Sequence, residues 1–196
     1  AVVIFTDAEG KKRSSNSLPT GHLGFVVYHP TLGRRYASAP APKEWAVLFD
    51  RIKKRDTYIG QFELAAAITP FLSLPAEWFK GRPVELWIDN SGAVGALIKG
   101  YSGIPDCARI VNTFHFSMAK LGATSLWIDY VPTDSNPADI PSRLHEMDER
   151  EKIRELRNLG EQVKMVIPAF ADEFGNWLSS IQIAQSVWGP RPSPEA

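Results

Sequence analysis

The sequence has one cysteine and no long apolar run. Cys107 stands alone, which excludes an internal disulfide bond and is typical of a protein kept in a reducing compartment. Pro70 and Pro75 interrupt the most apolar segment, so nothing approaches the ~20 apolar residues that a membrane-spanning helix needs. Internal repeats, low-complexity blocks and a signal-peptide pattern are also missing, and the first residues fall within a predicted strand, as in a piece cut from a longer polypeptide. We therefore expect an intracellular globular protein, cytoplasmic or nuclear, with no membrane partner.

Positive and negative charges balance over the whole chain but not along it. The 196 residues are 44% hydrophobic and 22% charged, which suits one domain with a full core, with or without an appendage. Residues 1–145 carry 16 Lys and Arg against 13 Asp and Glu, whereas residues 146–196 carry 6 against 9. Basic clusters lie at residues 11–13, 34–35 and 51–55. Such clusters either bind nucleic-acid phosphates or are solvated loop charges, so they do not by themselves establish a nucleic-acid partner.

Hydrophobic patterning predicts an α/β domain. Three strands separated by turn-rich segments come first, which predicts antiparallel pairing. Strands and helices then alternate, which predicts parallel pairing with right-handed crossovers, and the sum is a mixed five-stranded sheet flanked by helices. The predicted strands cover residues 2–8, 21–28, 34–39, 84–89 and 125–131, and the predicted helices cover residues 43–55, 61–74, 91–99 and 106–121, before a last helix capped by Asn136.

The last fifty residues differ in character from the rest. We predict a highly charged helix over residues 146–160, an extended run over 163–170 and an amphipathic helix over 172–188. The apolar stripe of that final helix is expected to pack on the main domain or, alternatively, to dock on a partner. The predicted organisation is a domain over residues 1–145, a helical extension over 146–189 and a flexible tail over 190–196.

Four carboxylates occupy positions where the local pattern does not favour a charge. Asp7 interrupts a buried strand, and Glu63 is the only charge in the apolar helix 61–74. Asp89 closes a core strand at its carboxyl end, where open α/β sheets place their ligand sites. Asp139 falls in the first turn of the last helix, where an acid also complements the helix dipole. Each acid alone has an ordinary structural interpretation, but a cluster of the four can hold two divalent metals that act on phosphodiesters.

The stretches around these acids carry a recognisable pattern. They are Phe5-Thr6-Asp7-Ala8, Glu63-Leu64-Ala65-Ala66, the run from Trp87 to Val94, and the run from Val131 to Arg143 with its Asn-Pro-Ala-Asp and Ser-Arg pairs. Over roughly residues 1–145 the sequence resembles the ribonuclease H domain of retroelement reverse transcriptases, within the wider ribonuclease H-like fold. The resemblance implies the strand order 3-2-1-4-5, with the first three strands antiparallel.

The same resemblance implies a function and a set of site residues. Asp7, Glu63, Asp89 and Asp139 would be the catalytic residues and would bind two Mg²⁺ ions, with Mn²⁺ as an expected substitute. One metal would activate a water that attacks the RNA strand of an RNA–DNA hybrid, and the other would stabilise the leaving 3′ oxygen. Asn90 and Arg143 are candidate substrate contacts, with a helix cap and a surface ion pair as the alternatives. A reverse transcriptase polymerase domain in cis and a retroelement particle are the implied partner and setting.

The sequence also departs from that family in ways that keep alternatives open. Cellular members carry a histidine in the loop before the last Asp, but residues 131–135 contain none, and His145 follows Asp139 instead. The loop 99–106 is short, so the basic protrusion of some relatives is missing, while residues 43–60 form a longer insertion than expected. Glu9 gives an Asp-x-Glu pair like that of DEDD-type 3′–5′ exonucleases, although Tyr130 lies too far from Asp139 for their motif. A non-catalytic module in a larger nucleic-acid assembly is the third possibility.

Overall fold

A single mixed β-sheet organises the molecule. The structure, a computed structural model, describes residues 1–170. Central strands are rich in β-branched and aromatic residues, which favour the pleated, buried surface of a sheet. The strands are β1 (Val2–Lys11), β2 (Thr20–His29), β3 (Gly33–Pro40), β4 (Pro83–Ile88), β5 (Ser125–Tyr130) and β6 (Glu161–Gln162).

The strand order is β5-β4-β1-β2-β3-β6. β1, β2 and β3 are antiparallel neighbours, whereas β4 pairs in parallel with both β1 and β5. The predicted α/β class and five-strand order are therefore confirmed. A two-residue strand, β6, was not predicted; it pairs in parallel with β3 at the edge of the sheet.

The helices lie close to their predicted positions, with one break. The predicted helix 61–74 is two helices, because a proline inside a helix lacks an N–H and collides with the preceding turn, and Pro70 instead lies in the first turn of the second helix. The helices are α1 (Lys43–Ile52), α2 (Ile59–Ala66), α3 (Thr69–Ser73), α4 (Ser91–Lys99), α5 (Pro105–Ala119), α6 (Asp139–Ser142) and α7 (Glu149–Leu156).

Two apolar clusters cover opposite parts of the sheet. The larger one joins Ile4 and Leu86 of the central strands to the buried helix α2 and to α5, through residues such as Phe62 and Phe114. The smaller one brings Ala138 and Leu159 against Val26 and Tyr36. The burial of apolar side chains is the main favourable contribution to folding. Here it fixes the positions of α2 and α6 relative to β1.

Residues beyond 145 are attached to the main core as far as they are described. The charged helix predicted over 146–160 is shorter, because Asp148 and Glu151 form a capping box that starts α7 at Glu149. After β6 the chain is extended, with Met165 and Phe170 buried in the larger cluster. The division at residue 145 stays a prediction, and the predicted helix 172–188 and tail 190–196 lie outside the described residues.

None of the helices within residues 1–170 combines the length and the apolar character needed to cross a bilayer.

Candidate active site

Three of the predicted carboxylates come together where the parallel pairing of two central strands, β1 and β4, ends. Thr6 of β1 is the register partner of Ile88 of β4, and the parallel pairing ends there, so Asp7, inside β1, and Asp89, just after β4, are the next residues of two neighbouring strands. Glu63 projects from α2, which packs on β1. One carboxylate oxygen from each of Asp7, Glu63 and Asp89 lies within 4.8 Å of the other two. The fold therefore brings three carboxylates from distant parts of the sequence together beside the central strands.

Within residues 1–170, none of the three carboxylates forms a salt bridge. Asp7 is 5% exposed and Glu63 is 4% exposed. Burial, reinforced by the charges of Asp7 and Asp89, raises the pKa of Glu63 well above its ordinary value. Burial likewise raises the pKa of Asp7 to about 6; a hydrogen bond from Ser142 opposes this shift, and the charges of Asp89 and Asp139 add to it. Close carboxylates in a buried setting resist ionising together, unless a cation joins them.

The donor set fits hard divalent cations. The Oε2 atom of Glu63 is buried and has no hydrogen-bond partner among residues 1–170, which is costly unless a cation offsets it. Carboxylate oxygens are the ligands that Mg²⁺ and Mn²⁺ take in proteins. Asp7, Glu63 and Asp89 are therefore the residues that could hold such ions.

Asp139 lies beside this group but outside it. It is the first residue of α6, and its Oδ1 atom forms an ion pair with Nε of Arg143 at 2.7 Å. Its charge still raises the pKa of Asp7, so the two carboxylates are near neighbours. The structure brings Asp139 to the edge of the site with its carboxylate engaged by arginine, and its role as a metal ligand stays a prediction.

The side chains of Ser142 and Asn136 link the segment 136–142 to β1. The hydroxyl of Ser142 donates to Oδ2 of Asp7. Buried Asn136 donates from Nδ2 to the carbonyl of Thr6 at 3.0 Å, while its Oδ1 accepts from the Ala138 amide at 3.1 Å. Asn136 therefore hydrogen-bonds to the backbone of β1 and is not the helix cap that was predicted, since α6 begins only at Asp139.

A glycine in β2 makes room for α6. Gly24 is the register partner of Asp7, and a Cβ atom there would meet the backbone of Ser142 and lie 2.8 Å from the carbonyl carbon of Pro141. Ser38 of β3 donates to the Pro141 carbonyl at 2.6 Å from the other side. Sequence reasoning included Ser142 in the Ser-Arg pair without giving it a role, and it missed Gly24, although a glycine inside a strand is a known signal of close backbone approach.

Comparison with solved structures identifies this architecture. LC9-RNase H1, a type 1 RNase H with the type 2 active-site motif, is 14% identical with a TM-score of 0.51, and the match covers 100% of this chain and 88% of that one. LC11-RNase H1, isolated from compost by a metagenomic approach, is 16% identical with a TM-score of 0.51, and the match covers 74% of this chain and 98% of that one. The chain has a ribonuclease H-like fold. No protein-family model matches the sequence, and no curated protein matches it.

Within the ribonuclease H-like fold, the two predicted substrate contacts, Asn90 and Arg143, each make a contact inside the protein. Asn90 caps α4, because its Oδ1 accepts from the Ala93 amide at 3.0 Å. The side chain of Arg143 is 48% exposed while it pairs with Asp139. Both residues flank the carboxylates along the chain, and their contact with a substrate stays a prediction.

Glu9 does not join the carboxylate group of this ribonuclease H-like fold. It groups instead with Glu146 and with His145, whose Nε2 lies 3.6 Å from Oε2 of Glu9. The ring of His145 stacks on that of His22 at 4.1 Å between centroids. An exonuclease site built on the Asp7 and Glu9 pair therefore gains no support from this arrangement.

Proposed function

We propose that this chain is a divalent-metal-dependent endonuclease that hydrolyses the RNA strand of RNA–DNA hybrids. One observation carries the proposal: Asp7, Glu63 and Asp89 converge within 4.8 Å in a ribonuclease H-like fold. The buried oxygen of Glu63 without a partner supports a cation at the same place. Nothing in the proposal requires a nucleophilic side chain, because water is the attacking group.

The residues of the site divide the work. Two divalent cations, when bound, supply an activated water and neutralise the leaving oxygen. Asp7, Glu63 and Asp89 hold them, and Asp139 completes the set from α6. Ser142 keeps Asp7 oriented and favours its ionised form, since a hydrogen bond donated to a carboxylate lowers its pKa.

Substrate recognition would fall to groups at the rim of the site. The amide NH₂ of Asn90 is left to donate to the substrate, because only its Oδ1 serves the helix cap. The half-exposed guanidinium of Arg143 suits a phosphodiester oxygen. Discrimination of RNA from DNA would come from contacts with 2′-hydroxyls along the shallow minor groove of the hybrid.

The setting proposed for this activity is a retroelement reverse transcriptase, with a polymerase domain in cis, in an intracellular particle. The support is the resemblance of the stretches around Asp7, Glu63, Asp89 and Asp139, above all the Asn-Pro-Ala-Asp segment. Co-expression of this chain with a reverse transcriptase polymerase domain would test the pairing, with a stimulated cleavage rate as the supporting result.

The test of the activity is cleavage of an RNA–DNA hybrid labelled at the RNA 5′ end. With Mg²⁺ or Mn²⁺, the parent protein should release internal fragments, and Asp89→Asn should abolish them. Asp129→Asn is the matched control, because Asp129 lies in the neighbouring strand β5 and outside the carboxylate group. Trimming from the ends only would indicate an exonuclease, and equal cleavage by Asp89→Asn would refute the site.

A further inference from the structure

Two basic segments that are distant in sequence lie side by side in the structure. The backbone N–H of Arg13 donates to the carbonyl of Asp56 at 2.7 Å, and its Nε donates to the carbonyl of Arg55 at 3.1 Å. Its guanidinium also pairs with Asp50 at 2.5 Å. The residues that follow β1 are therefore fastened along the segment that follows α1.

This contact assembles seven cationic side chains into one surface, here named the basic patch: Lys11, Lys12, Arg13, Arg51, Lys53, Lys54 and Arg55. Three of them have acidic partners, since Arg13 pairs with Asp50, Arg55 with Asp106 and Lys11 with Glu146. The other four are exposed and form no salt bridge within residues 1–170; they are Lys12, Arg51, Lys53 and Lys54.

Three of these four residues, Arg51, Lys53 and Lys54, belong to a segment that buried polar contacts hold in place. Buried Asp106 accepts from Arg55 at 2.6 Å and from Gln61 of α2 at 3.1 Å. Tyr58, fully buried, donates to Asp50. Although burial raises the pKa of Asp50, hydrogen bonds from Tyr58 and Arg13 and the charges of Arg13 and Lys54 hold it below its ordinary value. The segment is thus held by buried polar contacts, and its lysines project from a defined position.

The basic patch lies beside the carboxylate site. Asp7 and Lys11 are four residues apart in β1, which corresponds to about 13 Å at the rise of a β-strand. The side chain of Ile59, the first residue of α2, lies against Gly10, and the same helix carries Glu63. Since a duplex advances about 3.4 Å per base step, the patch begins on the order of four steps from the carboxylates.

We propose that the basic patch binds the phosphodiester backbone of the duplex whose RNA strand is cut at the carboxylate site. This inference rests on the proposed endonuclease function. Unpaired lysines on a fixed surface neutralise phosphates and release condensed counterions, which gives affinity without sequence preference. The patch positions the hybrid, and the carboxylates act on it.

The experiment measures the salt dependence of hybrid binding with a charge-neutralised patch. Asp89→Asn serves as the background so that the hybrid stays intact, and fluorescence anisotropy is recorded with a labelled hybrid in Mg²⁺ from 50 to 300 mM KCl. Lys53→Gln/Lys54→Gln should weaken binding. The plot of the log association constant against log salt concentration should become less steep by about 2, close to 0.9 for each lost phosphate contact. Adding Lys12→Gln should reduce the slope further by about 1, since both halves of the patch take part.

Lys80→Gln/Lys99→Gln is the matched control. Both lysines are exposed and form no salt bridge within residues 1–170; Lys80 precedes β4, Lys99 ends α4, and neither belongs to the basic patch. The control should keep the parent slope. Equal losses in the two double variants would mean that only net charge matters, and an unchanged slope in Lys53→Gln/Lys54→Gln would mean that the patch does not touch the duplex; either result overturns the proposal.

Cleavage separates this proposal from the one on which it rests. With all carboxylates present, Lys53→Gln/Lys54→Gln should raise KM for the hybrid and leave kcat near that of the parent, because its lysines position the duplex without taking part in the chemistry. If the parent cuts no hybrid while the slope still falls, the endonuclease function fails and the duplex contact stands. If the parent cuts and KM is unchanged, the patch proposal fails alone.

Discussion

The hydroxyl of Ser142 donates a hydrogen bond to the carboxylate of Asp7, across 135 positions of sequence. Both residues are buried, and the bond ties α6 to the central strand of the sheet. It also lowers the pKa of Asp7 against the opposing effect of burial. The contact therefore favours the ionised form of Asp7, which is the form that the proposed metal site requires.

Replacing Ser142 by alanine should weaken metal binding in a pH-dependent way. Without the hydroxyl, the pKa of Asp7 rises above its value of about 6, so more of it is protonated at mildly acidic pH. The Mg²⁺ concentration for half-maximal cleavage should rise by roughly tenfold at pH 6.5, as expected for a hydrogen bond to a charged group, and by less at pH 8.5.

Ser38→Ala is the control for that variant. Ser38 donates to the carbonyl of Pro141 in the same segment but does not contact Asp7. Its loss should cost stability without changing the pH dependence of the Mg²⁺ requirement. A similar change in both variants would assign the effect to a loosened α6 instead of to Asp7.

Asp7→Asn should stabilise the metal-free protein. The folded pKa of Asp7, about 6, lies above its ordinary value of 3.8, so the folded state binds the proton more tightly than the unfolded state. Stability of the parent should therefore fall as pH rises from about 4 to 6 and stay low above that. In urea titrations with EDTA, the variant should gain up to roughly 3 kcal/mol at pH 8 and nothing near pH 3.5. An equal difference at both pH values would contradict a raised pKa for Asp7.

Gly24→Ala should displace α6 and damage both stability and activity. The added methyl would meet backbone atoms of Pro141 and Ser142, which cannot turn aside as a side chain can. A loss of about 1–3 kcal/mol or more is expected from urea denaturation, with a larger Mg²⁺ requirement. Gly95→Ala is the control, because nothing lies within 4 Å of its added methyl in α4, and removing a helical glycine should stabilise by about 0.5–1 kcal/mol.

Asp139→Asn should affect metal binding less than Asp89→Asn does. Asp89 belongs to the group of three carboxylates, whereas Asp139 lies beside it and pairs with Arg143. Calorimetric titration with Mn²⁺ should show a large loss of affinity for Asp89→Asn and a smaller one for Asp139→Asn. Equal losses would show that Asp139 swings into the site when cations bind.

Local patterns predicted most of the fold. Strands β1 to β5 and helix α4 show their alternation or helical spacing within a few residues, so they could be recognised without tertiary information. Strand β6 could not be recognised in this way, because two residues are too few to show a hydrophobic alternation and the strand exists only through its pairing with β3. The break between α2 and α3 was visible in Pro70, yet the continuous apolar run favoured a single helix.

The site was predictable in part for a similar reason. Asp7, Glu63 and Asp89 stand out because a charge in an apolar segment needs an explanation. Ser142 and Gly24 do not stand out, since their importance depends on how closely α6 approaches the strands. A surface ion pair was one of the two roles expected for Arg143, but its partner, Asp139, depends on the side-chain geometry of one short helix.

The most direct test of the central claim is an anomalous diffraction map from crystals of the parent protein soaked in Mn²⁺. The account predicts two peaks roughly 4 Å apart, with an aspartate between them, bounded by Asp7, Glu63 and Asp89. Peaks elsewhere, with none among these three carboxylates at saturating Mn²⁺, would contradict it.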